Sequence, residues 1–142
     1  MRSSPTVSAP ADATALTALR ITFVVVPFLA GLDKFFGLLA DWSAYLSPLL
    51  RDHIPMSPAA FLGFAGVVEM AVGVLMATRY VRVAAYLACA WLVLIALQLL
   101  AARHIDVAVR DLAMAVAAFT LARLSPATAL VGHARQPSQV TA

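Results

Sequence analysis

Residues 83–102, VAAYLACAWLVLIALQLLAA, decide how the rest of the chain is read. The stretch runs twenty residues without a charge, and Gln98 is its one amide. At about 1.5 Å of rise per residue, a helix of this length matches the roughly 30 Å hydrocarbon core of a bilayer. A helix on the surface of a soluble domain needs one polar face, and this stretch has none. Immediately before it, residues 59–78 (AAFLGFAGVVEMAVGVLMAT) form a second apolar run, bounded by Pro58 and Arg79, in which Glu69 is the only ionisable group. Further upstream, residues 14–40 predict a first span with its apolar heart at 21–32; Pro27 lies inside it and should kink the helix, freeing the Phe23 carbonyl. Downstream, residues 107–124 predict a fourth span, in which Arg110 and Asp111 fall one turn inside the start and which Ser125 and Pro126 end. The expected fold is therefore all-α, an integral membrane four-helix bundle over residues 14–124. A flexible lead-in over 1–13 and a flexible tail over 125–142 are expected at its ends.

Composition agrees with this reading. Of the 142 residues, 63% are hydrophobic and 12% charged, whereas a soluble domain runs nearer half apolar and a quarter charged. The net charge of +3 comes from nine Arg and one Lys against seven scattered acids. No block of like charge exists, so no nucleic-acid partner is expected. Cys89 is the sole cysteine, which excludes an internal disulfide and leaves no metal-ligand spacing. The run at 21–32, preceded by Arg2 and Arg20, resembles a signal peptide in length, but Asp33 and Lys34 stand where a small-residue cleavage site would be. It reads as retained. Residues 41–58 carry Trp42, Tyr45, Arg51, Asp52 and His53 among prolines, the composition of a loop at the membrane interface. Arg2, Arg20, Arg79, Arg82, Arg123 and Arg135 fall on one side of the expected topology, with Asp12 as their only acid. The face richer in Arg is normally cytoplasmic, which predicts both termini inside.

Glu69 is the residue with the most chemistry to explain. It lies roughly 15 Å from either surface at the helical rise, beyond the reach of any Glu rotamer. A charge at that depth costs about 2.5–3.5 kcal/mol on insertion scales, so the carboxyl is expected to face the bundle interior or to carry a proton. Ala65, Glu69, Gly73 and Ala77 repeat every four residues, with Gly66 one turn before the Glu; small residues at that spacing let a second helix approach closely. Lys34 and Arg110 are the candidate partners. Within each of the neighbouring pairs Asp33–Lys34 and Arg110–Asp111, only one member can face Glu69, because adjacent helical residues diverge by about 100°. Arg110 shares a stripe with Met114, Ala118 and Ala122, and Asp111 shares one with Ala115 and Phe119. The small residues favour the Arg110 stripe as the inner one. A fixed structural role for this cluster and a ligand or proton role are both open at this point.

The three histidines, His53, His104 and His133, all lie outside the spans. A bis-His haem inside the bundle is therefore not expected, nor is a metal site. His104 stands near Asp106 at one interface, where it could titrate or simply be solvated.

The run RITFVVVPFLAGLDK, with Arg20, Gly31 and Lys34, followed by GVVEMAVGVLM, with Gly66, Glu69 and Gly73, resembles the DoxX family of small bacterial membrane proteins. The resemblance extends over about residues 15–124. It implies a four-helix bundle in the bacterial cytoplasmic (inner) membrane, associated with respiratory or sulfur-oxidising redox complexes linked to quinone. It implies no catalytic residue. The expectation is an accessory, non-catalytic subunit of a quinone-linked membrane redox system, with quinone as the candidate cofactor, redox-complex subunits or a second copy as protein partners, and a quinone-sized apolar cleft anchored by Glu69. The alternatives are a small proton- or solute-translocating protein and a structural membrane protein without a ligand site.

Overall fold

The computed structural model describes residues 9–125, with side chains from residue 13 onward. Residues 1–8 and 126–142, most of the expected lead-in and tail, lie outside the described residues. Helix α1 (Ala9–Phe36) is followed by a 3-10 turn (Trp42–Tyr45), a short α2 (Pro48–His53), α3 (Pro58–Ala77), α4 (Val81–Ala101) and α5 (Ile105–Leu124). No strand occurs among the described residues. The start of α1 at Ala9 makes helical the last residues of the stretch expected to be a flexible lead-in.

Among the described residues, three helices are long and apolar enough to cross a membrane: residues Ala13–Phe36 of α1, and all of α3 and α4. The chain is thus a membrane protein. Helix α5 has a spanning length of 20 residues but carries Asp106, Arg110, Asp111 and Arg123, so the fourth span does not reach the apolarity of the other three.

Several of the boundaries can be traced to particular residues. Ser57 and Ser47 are N-caps followed directly by Pro58 and Pro48, and their hydroxyls accept from the amides of Ala60 and Leu50. Helix α1 runs unbroken through Pro27 and stops where Gly37 adopts φ 63°, its N–H donating to the Asp33 carbonyl at 2.6 Å. That left-handed position is nearly free for glycine and costly for other residues. In the loop, Ser43 donates to Asp41 through both its amide and its hydroxyl. The hydroxyl bond chiefly holds the Asp41 carboxyl below its ordinary value of 3.8. A depressed carboxyl supports the turn fully at neutral pH, and that support is lost only as pH falls below the ordinary value.

The long helices pack as two pairs, α1 with α3 and α4 with α5, which lie side by side. The α1–α3 contact is antiparallel and can be followed along its length. Arg20 donates to the carbonyls of Met76, Ala77 and Thr78 at 2.7–3.1 Å, closing the last turn of α3. Gly73 lies against the Val24 carbonyl and Phe28, and Gly66 lies against Gly31. In lipid, helix association rests on close packing and on interhelical polar contacts rather than on hydrophobic transfer, and this interface supplies both. Arg20→Met, which removes three charge-assisted bonds from carbonyls at a helix end, should lower stability by about 1–2 kcal/mol in a thermal melt in detergent.

The other pair uses alanine in place of glycine. Ala84, Ala85, Ala88 and Ala96 of α4 and Ala108, Ala115, Ala118 and Ala122 of α5 are buried. The main apolar core, built around Phe23, Met76 and Leu121, sits towards the end where the chain turns between α3 and α4. At the opposite end the 37–57 loop folds over the bundle, held by Gln98, which accepts from the Ser47 amide and donates to the Tyr45 carbonyl at 2.9 Å each.

Candidate functional site: a buried charge cluster

Glu69 is buried on α3 between the two helix pairs. Its Oε2 accepts from Lys34 Nζ at 2.5 Å, and its Oε1 accepts from the indole N–H of Trp91 on α4 at 3.3 Å. The Lys34 and Glu69 side chains are each only 8% exposed. Both carboxylate oxygens are therefore engaged, as a buried charge requires if it is not to cost several kcal/mol.

The geometry of an antiparallel helix pair explains how two residues at different heights meet. Every Cα–Cβ bond on a helix tilts towards that helix's own N-terminus. Lys34, near the loop end of α1, therefore leans into the membrane, while Glu69, in the middle of α3, leans towards the loop, and the two side chains close the gap between them. Two glycines make room. A Cβ on Gly31 would lie 3.0 Å from the Glu69 Cβ, and a Cβ on Gly66 would lie 3.3 Å from the Lys34 Cβ. Each glycine stands three positions before one charged residue and opposite the other, so Gly31-x-x-Lys34 and Gly66-x-x-Glu69 form a reciprocal arrangement.

Trp42 completes the surroundings. Its ring covers the ammonium, with Lys34 Nζ 3.9 Å from the ring centroid, a cation–π contact at close range. The same indole donates its N–H to Asp33 Oδ2 at 2.8 Å. Asp33 also accepts from the amides of Leu38 and Leu39, which would otherwise be free just past the end of α1. Asp33 thus closes a helix end and fixes an aromatic ring, and it does not touch Glu69.

On α5 the two candidates are placed the opposite way round from the expectation. Asp111 is buried, whereas the Arg110 side chain is 66% exposed and reaches back to Asp111 Oδ1 at 3.3 Å. The buried face of α5 runs Ala108, Asp111, Ala115, Ala118, Ala122, in alternating steps of three and four. A stripe drawn in steps of four drifts by about 40° each time, so Ala118 and Ala122 share the inner face with Asp111 while Arg110 has turned away. The five candidates consequently divide: Lys34 and Glu69 pair directly, Asp111 is buried on α5 and bonded to the exposed Arg110, and Asp33 acts through Trp42.

Sequence reasoning missed Trp91 altogether and took Trp42 for an interfacial anchor. Trp91 stands at the middle of α4 as Glu69 does of α3, so in helices joined by a tight turn the two lie at one depth; that was the available signal. For Trp42 there was none, because its position depends on the path of an irregular loop.

No family model, no curated protein and no solved structure matches the chain.

Two surface clefts lie elsewhere. One, of about 330 Å³, is at the loop end and includes Asp41, Tyr45, His104 and Asp106; there His104 Nε2 lies 3.2 Å from the Ala44 carbonyl and the ring packs edge-on to Tyr45. The other, of about 280 Å³, is an apolar groove between α4 and α5 lined by Cys89, Val93, Leu112 and Phe119 among others. Glu69 lines neither of these two clefts. Both oxygens of its carboxylate are engaged, by Lys34 and by Trp91.

Proposed function

We propose that the protein is a DoxX-like integral membrane protein that serves as an accessory, non-catalytic subunit of a quinone-linked redox system in a bacterial inner membrane. In this reading α5 is the fourth span, its charges neutralised within the bundle and at its ends, and both termini are cytoplasmic. The observation that supports it most is the position of the six residues that carry the resemblance. Arg20, Gly31, Lys34, Gly66, Glu69 and Gly73 all lie at the single α1–α3 interface, as bonds or as close approaches. A motif whose every member fastens two membrane helices fits a scaffold subunit, and the saturated carboxylate of Glu69 fits fastening better than ligand capture. Purification in mild detergent should retain a redox partner subunit or bound quinone; a lipid-only monomer would overturn the reading. Reporter fusions after Ala142 and near Ser47 should place these two points on opposite sides of the membrane, the C-terminus inside, and an external C-terminus would refute the topology.

The burial of Lys34, Glu69 and Asp111 favours proton translocation as a second reading, since intramembrane ionisable groups commonly mark such paths. Proton flux in proteoliposomes that Glu69→Gln abolishes would put it first.

A further inference from the structure

We propose that Trp42 is a plug that closes the Lys34–Glu69 pair to the aqueous phase at the loop end, and that Asp33 is a positioning residue that holds the plug in place. The inference goes beyond the role proposed above and stands whichever partner the protein has.

Trp42 covers the ammonium that Glu69 binds, with the ring centroid 3.9 Å from Nζ. The ring face attracts the cation while its area excludes water, which a small or aliphatic side chain at this position would do less well. The indole is not free to swing, because its N–H is bound to Asp33, whose remaining acceptor capacity is taken by the amides of Leu38 and Leu39. One carboxylate thereby fixes both the chain direction after α1 and the orientation of the ring nine residues on. The other ends of the segment are tied by exchangeable bonds as well. Gln98 binds Tyr45 and Ser47, and His104 contacts the Ala44 carbonyl. Gly37, at φ 63°, is the point where the backbone turns out of the helix. The segment 37–47 is thus held over the charge pair by hydrogen bonds that water can replace, whereas the helices beneath it are held by packing. Openings of such segments are smaller events than unfolding of the bundle.

Lys34 is the only lysine in the chain, so its reactivity can be read without ambiguity. The full chain in lipid nanodiscs is treated with a water-soluble amine-acetylating reagent, and acetylation of Lys34 is followed by mass spectrometry against the denatured chain. The wild type should label slowly. Trp42→Ala should label about tenfold faster or more, and Asp33→Asn, which preserves size but weakens the hold on the indole and the two amides, should also accelerate labelling. Trp42→Phe, which keeps a ring but loses the N–H bound to Asp33, should label at a rate between those of the wild type and Trp42→Ala. Arg20→Met, which loosens the far end of the α1–α3 contact, should lower thermal stability without changing the labelling rate. Equal rates for the wild type and Trp42→Ala, or a wild type as reactive as the denatured chain, would overturn the proposal. Acceleration by Arg20→Met equal to that by Asp33→Asn would do the same, since it would reduce the effect to general loosening. If Trp42→Ala does not fold, Asp33→Asn and Trp42→Phe still decide the outcome.

Discussion

Lys34→Met should lower the stability of the folded protein by about 3–5 kcal/mol, and the loss should shrink to a small fraction of that in a Glu69→Gln background. Glu69 is 6% exposed as a residue and lies where its own helix offers no route to water. Removing Lys34 leaves a carboxylate whose Oε2 has no partner, in surroundings that cannot solvate it. Removing the charge of Glu69 as well takes away the group that made the loss severe. The thermodynamic cycle over the two sites, measured by thermal unfolding in detergent, isolates this coupling. The corresponding cycle with Arg110→Met should be close to additive, because Arg110 bonds to Asp111 and is mostly exposed. Strong coupling of Glu69 to Arg110, or none to Lys34, would show that the pair is not formed in the folded protein.

Gly66→Ala should be nearly as damaging, although it adds a single methyl group. A Cβ there would lie 2.5 Å from the Gly31 carbonyl oxygen, and a Cβ on Gly31 would lie 2.5 Å from the Gly66 carbonyl oxygen. Both obstacles are backbone, so no rotamer change relieves them and the helices must move apart. Overpacking usually costs about 1–3 kcal/mol; here the cost should reach the top of that range, because separation also stretches the Lys34–Glu69 bond. Gly31→Ala together with Gly66→Ala should cost much less than the two effects added, since one displacement accommodates both methyl groups. Full additivity would mean that the two glycines do not face each other. Gly63→Ala is the control: its Cβ would meet only Phe35 at an ordinary 3.5 Å, and the variant should behave as wild type.

The long helices were legible because their signal is composition over twenty residues, which local detail cannot obscure. The apolar runs at 59–78 and 83–102 fall within two residues of α3 and α4 at both ends. The depth of Glu69 followed from counting, and its partner was narrowed to two residues for the same reason. Choosing between Lys34 and Arg110 required the rotation of α5, and there a step-of-four stripe of small residues misled, because both sides of α5 carry alanine. Helix α1 ends at Phe36, four residues earlier than expected, through a tertiary arrangement of Asp33, Gly37 and Trp42. No local rule would place an indole eight residues downstream over the preceding lysine. Helix α5, expected as the fourth span, falls short of the apolarity of the other three because Asp106, Arg110, Asp111 and Arg123 all lie in it.

The partner of Lys34 lies 35 residues further along the chain. At about 5–20 residues per second, synthesis takes roughly 2–7 s to supply it. Throughout that interval a nascent first helix in the bilayer carries an ammonium with no counter-ion and exposes the glycine face that α3 will later fill. Such a helix is a poor guest for lipid, and nothing in its own sequence cures this. Biogenesis must therefore keep it in a protected setting, at the insertion machinery or with its lysine still drawn to the headgroups, until α3 arrives and the first two spans enter the bilayer as a unit.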